Sequence, residues 1–330
     1  MNRRRTIGLI AATTVAAVSL AACSSTGGKN TETGSNASAG HATTPQMTVA
    51  MITHAQPGDA FWDIIRKGAE AASAKDNVKF QYSNSNDASK QAQLIQAAID
   101  KKVDGIAVTD PNTGALGGAI KAAVASGIPV VMFNAGEADA MKLGALGYFG
   151  QDEFTAGQAA GARLKQEGAK NVVCAIQDQG QSQLEARCDG VSKGLGFKVQ
   201  RVYVNGADDS AVTSTINAKL SQDKSIDWVM TLGAQYALDA AKGAKSANSD
   251  AKIATFDTNK DLVNAIQDGT VQWAIDQQPY LQGYLAVDSL WLYKTNGDTI
   301  GGGQPTATGP SFVDKNNVDA VAKFAANGTR

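Results

Sequence analysis

The sequence predicts an α/β protein of two similar lobes, each a parallel sheet covered by helices on both faces. Two observations carry this. Short apolar runs rich in β-branched residues alternate with longer stretches of helical periodicity, and a strand–helix–strand alternation implies parallel strands joined by crossover helices. The alternation also runs twice, before and after Gln151, over segments of about 100 residues that can each bury a core.

In order, residues 47–53 read as a strand, 61–75 as a helix and 78–82 as a strand. The helix at 89–101 gathers Leu94, Ile95, Ala98 and Ile99 on one face. Strands at 105–109 and 129–134 follow, separated by a helix at 116–126. The second series reads as helix 155–167, strand 171–176, helix 184–194, strand 199–204 and helix 211–221. It continues with strand 228–231, helix 236–246, strand 252–256, helix 258–266 and strand 271–275. The Gly-, Gln-, Pro- and Thr-rich segment 301–309 fits a last crossover between lobes, ahead of a short helix near 318–326.

The amino terminus is of another kind. Arg3, Arg4 and Arg5 precede an apolar stretch over 6–22 that is too short to span a bilayer comfortably, which describes an export signal. Leu20-Ala21-Ala22-Cys23 resembles a bacterial lipobox, which implies cleavage before Cys23 and acylation of its thiol, an anchor to the cell membrane. From Ser24 to about Pro45 the chain is Ser, Thr, Gly, Asn and Ala, a flexible tether. The expected organisation is therefore a signal at 1–22, a tether at 23–46, one lobe from 47–150 with 278–308, a second from 151–277 with 309–313, and a terminal tail and helix at 314–330. The folded part works in an extracytoplasmic space.

The formal charge of −1 falls by three when Arg3, Arg4 and Arg5 leave with the signal, to −4. An acidic body argues against nucleic acid or anionic lipid as a partner, since both demand clustered Lys and Arg. Cys174 and Cys188, an even pair in an exported chain, read as a disulfide; closing a loop of about 15 residues is worth roughly 3 kcal/mol in the chain-entropy model. Two unpaired buried thiols are the alternative. The only histidines are His41 in the tether and His54, so neither a metal site nor a cofactor is expected.

Ligands of open parallel sheets sit beyond the carboxyl ends of the strands. The residues there are His54 with Asp59, Phe61 and Trp62, then Asn134, then Asp257, then Asp276 and Gln277. None is a nucleophile backed by a base, and the glycine clusters near Gly114 and Gly144 lack the strand–loop–helix setting of a nucleotide site, so an enzyme is not expected.

Several further motifs stand in a telling order: 48–53 followed by Asp59-Ala60-Phe61-Trp62, Gly105-Ile106 before Thr109-Asp110-Pro111, Gly127-Ile128-Pro129-Val130-Val131, Gly150-Gln151-Asp152, Phe256-Asp257 and Gln277-Gln278-Pro279. From about Met47 to Phe312 the chain thereby resembles the pentose and hexose group of periplasmic binding proteins, the solute receptors of ABC importers. That resemblance implies two Rossmann-like lobes with parallel sheets joined by a three-stranded hinge, closing on a monosaccharide or polyol. It implies a monomer that meets an ABC transporter permease, or a sensor that presents its ligand to a membrane signalling receptor. A sugar-responsive repressor shares these lobes but needs an amino-terminal helix-turn-helix, where this chain has its signal and tether.

By position, the resemblance makes Phe61 and Trp62 the aromatics that bracket the sugar faces, with helix core as the alternative for one of them. Asn134 and Asp257 would bond hydroxyls from opposite lobes, a carboxylate accepting from two at once; capping of the following helix is the alternative for Asp257. Gln277 would contact ligand beside the hinge, and His54 and Asp59 belong to the first loop. On the second lobe Gln183, Glu185 and Arg187 compete for one family position. Arg187 there supplies a fixed fork of donors; Glu185 there makes an acidic pocket suited to a polyol or an amino-sugar. Asn134-Ala135 and Gly233 depart from the ribose pattern, which points to a neutral sugar, inositol or short sugar alcohol.

Overall fold

The alternation of strands and helices closes into two six-stranded sheets. The structure, a computed structural model, describes residues 41–56 and 58–330. The signal and the lipidation candidate Cys23 lie outside the described residues.

The first series is β1 (Met47–Thr53), α1 (Ala60–Lys75), β2 (Val78–Asn84), α2 (Ala88–Asp100), β3 (Gly105–Val108), α3 (Thr113–Ala125), β4 (Val130–Phe133), α4 (Glu137–Ala140) and β5 (Tyr148–Gly150). The second is α5 (Glu153–Gln166), β6 (Val172–Ile176), α6 (Ser182–Leu195), β7 (Gln200–Tyr203), α7 (Asp209–Gln222), β8 (Trp228–Thr231), α8 (Ala234–Ser246), β9 (Lys252–Phe256), α9 (Lys260–Asp268) and β10 (Trp273–Asp276). After them come α10 (Pro279–Asn296), β11 (Thr306–Ala307), β12 (Ser311–Asp314) and α11 (Val318–Ala326).

The sheet orders are β11-β5-β4-β3-β1-β2 and β12-β10-β9-β8-β6-β7. With the last strand of each set aside, both follow the doubly wound order 2-1-3-4-5. Among the described residues only β12 runs antiparallel to its neighbour, pairing Trp273 with Asp314 through Asp276 with Ser311. The chain passes between the sheets three times, from β5 to α5, from β10 to α10 and from β11 to β12, which makes the three-stranded hinge. Each sheet is covered on both faces by apolar clusters, so its strands read as continuous apolar runs.

The longest helix, α10, has no counterpart in the sequence reading. Its apolar residues, Tyr280, Leu281, Tyr284, Leu285, Leu290 and Trp291 among them, are spread round the helix and leave no single stripe for periodicity to find. Pro279 at its first turn is the start signal that was there to be used. The tether also needs correcting at its end: Ala42 N–H donates to the Lys75 carbonyl (2.8 Å) and Trp291 Nε1 donates to Thr44 Oγ1 (3.0 Å), so residues 42–44 are tied to the first lobe.

Two helix pairs approach unusually closely because glycine lines both sides. A Cβ at Gly157 or Gly161 of α5 would overlap the backbone of Arg187 or Val191, and one at Gly190 or Gly194 of α6 would overlap α5. Gly68 of α1 and Gly283 of α10 do the same for the first lobe. Cys174 and Cys188 form a disulfide, Cα to Cα 6.0 Å, that pins α6 to β6, both residues fully buried.

Candidate functional site

The carboxyl ends of the two sheets face one another across a cavity of about 290 Å³, lined from both lobes and from the hinge. His54, Asp59, Phe61, Trp62, Asn134, Arg187, Asp257 and Gln277 all line it.

On the first lobe, β1 delivers His54. Its backbone N–H donates to Thr109 Oγ1 (3.1 Å), Nδ1 meets the same hydroxyl (2.8 Å), and Nε2 meets the Gln183 amide nitrogen of the other lobe (3.2 Å). Burial first, and the Arg187 guanidinium second, hold its pKa down at about 3. The ring is therefore neutral, and a proton on Nδ1 satisfies both bonds. Trp62 meets it edge to face at 4.7 Å, and Phe61 meets Trp62 at 5.3 Å with the planes at 90°. Two rings in contact at a right angle form a corner, so they do not sandwich a sugar between them. Trp62 is also part of the first lobe's core. Asp59 caps α1 by accepting from the Phe61 N–H (3.0 Å) through Oδ1, and burial raises its pKa.

Beside the hinge, Asn134 follows β4 and Asp257 follows β9, the matching strand of the other sheet. Both are left-handed, with φ of 64° and 66°, a conformation that Asn and Asp enter more readily than other non-glycine residues. Gln277 joins them: Asn134 Nδ2 donates to its Oε1 (3.2 Å) and its Nε2 donates to Asp257 Oδ1 (2.7 Å). Gln282 of α10 donates to Gln277 Oε1 (2.9 Å) and to Thr308 Oγ1 (3.1 Å), tying the second crossover to the third. Helix capping is not the role of Asp257: Asn259 caps α9 by accepting from Leu262 N–H. Burial raises the Asp257 pKa to about 7, against the opposing pull of Arg187 and the Gln277 bond.

On the second lobe, Arg187 occupies the wall and Glu185 does not. Glu185 turns outward to Arg201 (2.8 Å) and the Tyr203 hydroxyl (2.9 Å). Arg187, 3 % exposed, donates from Nε to Glu153 Oε2 (2.6 Å), from Nη2 to Glu153 Oε1 (2.9 Å) and from Nη1 to the Leu232 carbonyl (3.0 Å), and packs on Phe256 at 4.6 Å. This bidentate pair fixes the plane of the guanidinium. One residue of the pair lies on α5 and the other on α6, so the close approach of the two helices sets its geometry.

Three contacts draw the lobes together beside the cavity: His54 with Gln183, Gln56 Nε2 with Asp178 Oδ2 (3.0 Å), and Ser182 N–H and Oγ with the Pro111 carbonyl (3.3 and 3.1 Å). Asp178, Tyr236 and the anchoring Glu153 are absent from the sequence-derived site, whereas Gln183, one of the three candidates for a single second-lobe position, lines the cavity together with Arg187. The rule of looking just after each strand reaches Asp178, two residues past β6, and could have found it. It does not reach Tyr236 inside α8 or Glu153 at the head of α5. Among the described residues no group of three or more His, Cys, Asp or Glu is placed to hold a metal ion. What the cavity offers is a dense set of neutral and anionic hydrogen-bonding groups beside an aromatic corner, suited to holding a polar ring rather than breaking its bonds.

Residues 49–298 match the family model of the periplasmic binding protein domain. A carbohydrate transporter from Acidothermus cellulolyticus, solved in complex with myo-inositol, is 62% identical, with a TM-score of 0.86 over 87% of this chain and 100% of that one. A solute-binding protein from Burkholderia graminis, solved in complex with D-arabinose, is 26% identical, with a TM-score of 0.71 over 82% and 96%. The xylose/arabinose-binding protein of Sulfolobus acidocaldarius is 27% identical over 260 residues, 73% of this chain; the chain spans 64% of that relative's length. The ribose import binding protein of Bacillus subtilis is 28% identical over 234 residues, 69% of this chain and 76% of that protein.

Proposed function

The chain belongs to the periplasmic binding protein family, and on that premise we propose that it captures a polyhydroxylated ring, a monosaccharide or a cyclitol, between its two lobes and delivers it to the permease of an ABC importer. Myo-inositol is the first candidate, supported by the 62% identical protein that holds it. The observation that carries the reading is the Asn134–Gln277–Asp257 chain, which sets acceptors and donors from both lobes and the hinge around one cavity.

A polyol ring is a fitting guest for physical reasons. Each hydroxyl both donates and accepts, so it can meet amides and carboxylates alike. Trp62 and Phe61 offer apolar surface to ring C–H groups. Closure of the lobes removes water and strengthens each bond made inside. Cys23 would carry the lipid that holds the protein at the outer surface of the cell membrane, with the residues after it as tether.

The test is the melting temperature of the purified chain across pentoses, hexoses, inositols and sugar alcohols. A ligand at 100 times its dissociation constant adds about 2.7 kcal/mol, which raises melting by several degrees for a chain of this size. A selective rise with one sugar or cyclitol is expected. A panel with no rise at all would overturn the reading.

A further inference from the structure

The second lobe reaches the first through one short segment. Apart from the hinge and the residues after α11, where Lys67 Nζ meets the Asn327 and Gly328 carbonyls (3.5 and 3.1 Å), every hydrogen bond between the lobes among the described residues uses Asp178, Ser182 or Gln183. None of these bonds needs a guest.

The side chains of this segment also hold one another. Gln183 donates one amide proton to His54 Nε2 (3.2 Å) and the other to Gln181 Oε1 (2.5 Å). Gln181 donates to Asp178 Oδ2, which accepts again from Gln56 Nε2 (3.0 Å). The chain of bonds thus leaves the first lobe at His54 and returns to it at Gln56 on the same loop. Beside it, Ser182 gives the Pro111 carbonyl both its N–H (3.3 Å) and its hydroxyl (3.1 Å). His54 and Gln183 are buried, and a hydrogen bond shielded from water is stronger than one that faces it.

The segment stands on a fixed foot. The Cys174–Cys188 disulfide joins the strand before it, β6, to the helix after it, α6. Gly206 N–H donates to the Gln177 carbonyl (3.0 Å), and Arg201 holds Glu185 outward (2.8 Å). The receiving side is fixed as well: Gln91 Nε2 donates to the Thr109 carbonyl (2.7 Å), and Asp110 N–H donates to the Ala135 carbonyl (3.1 Å), just ahead of Pro111.

We propose that residues 178–183 are a latch that holds the lobes together with bonds of the protein's own, so that closure begins before a guest arrives. The apparent affinity for any guest scales with the fraction of chains in the form that binds it tightly. The latch therefore multiplies every affinity by one common factor and leaves selectivity to the cavity walls. Ser182, which does not line the cavity, is a positioning residue that acts only through the latch. The latch concerns closure, so it stands or falls apart from the identity of the guest.

Ser182→Pro tests it. Ser182 is the first residue of α6, a position where proline is well accepted. Gln181 is already extended, with φ of −88° and ψ of 113°, as a residue before proline must be. The substitution removes both donors to Pro111 and no bond within the second lobe. In calorimetric titrations myo-inositol and its stereoisomer scyllo-inositol should each bind about tenfold more weakly, by the same factor. Ser182→Ala, which keeps the N–H, should fall between this variant and wild type. In small-angle X-ray scattering the unliganded Ser182→Pro chain should have a larger radius of gyration than unliganded wild type, and saturating myo-inositol should bring the two together. Equal radii without ligand, unchanged affinity, or a loss that differs between the two inositols overturns the latch. Failure of wild type to bind either inositol counts against the polyol reading instead, and the unliganded radii then decide the latch by themselves.

Discussion

Asn134 and Asp257 are counterparts: each ends the corresponding strand of its sheet, each is left-handed with φ of 64° and 66°, and Gln277 bonds both. Non-glycine residues in this conformation cost about 1–3 kcal/mol each and persist where the surroundings over-determine them, often at binding sites. Here the surroundings are the hinge. The residue that joins the two lobes' counterparts lies on the second crossover, so ligand contact and lobe closure share one set of bonds.

Two buried groups of the site push stability in opposite directions as pH changes through the acid range. Folding lowers His54 from 6.5 to about 3, so between those values the unfolded chain binds a proton that the folded one refuses, and stability rises with pH. Folding raises Asp257 from 3.8 to about 7, so the folded chain keeps a proton that the unfolded one has lost, and stability falls as pH rises through that window. Asp257→Asn should therefore melt at temperatures that climb more steeply than wild type from about pH 4 to 6.5, and His54→Gln should show the reverse. Parallel melting curves for the three proteins would contradict both assignments.

Removing Glu153 leaves Arg187 charged, buried and unanswered. Breaking one partner of such a pair costs about 3–5 kcal/mol. Glu153→Ala should lose that much in denaturant unfolding. Glu153→Ala with Arg187→Met should recover most of the stability but none of the ligand affinity. Equal stability of the single and double variants would show that the pair holds nothing in place.

The seam between α5 and α6 sets where that pair stands. Gly161→Ala should cost about 1–3 kcal/mol by overpacking and should weaken ligand binding, because the helices that carry Glu153 and Arg187 must part. Gly118→Ala on α3, where a Cβ meets nothing within 4 Å, should instead add roughly 0.4–1 kcal/mol and leave affinity unchanged. Urea unfolding with calorimetry separates the two; a Gly161→Ala protein of full stability and affinity would refute the role given to the seam.

Much of this was legible in the sequence, for identifiable reasons. Buried parallel strands are short apolar runs, so β1, β3, β4, β6, β8 and β9 stand out, and the residue after each strand leads directly to His54, Asn134 and Asp257. The strand β5, only three residues long, and α10, apolar all round, give periodicity nothing to hold. The choice between Glu185 and Arg187 was beyond sequence too, since two positions along a helix differ by about 200° in direction and a slip of two residues exchanges wall for surface. Glu153 stayed hidden because its importance lies in the partner it meets across two helices.

Calorimetric titration of myo-inositol into the wild-type chain and into Asp257→Asn tests the central claim most directly. One bound molecule per chain with a dissociation constant on the order of micromolar, about −8 kcal/mol, is expected for wild type. At pH 8, where Asp257 is ionised, loss of a charged acceptor worth about 1.5–3 kcal/mol should weaken the variant roughly ten- to hundredfold. Equal affinity in both proteins would place the ligand elsewhere than between Asn134 and Asp257, and no heat from myo-inositol or any other polyol would contradict the account of the cleft as a whole.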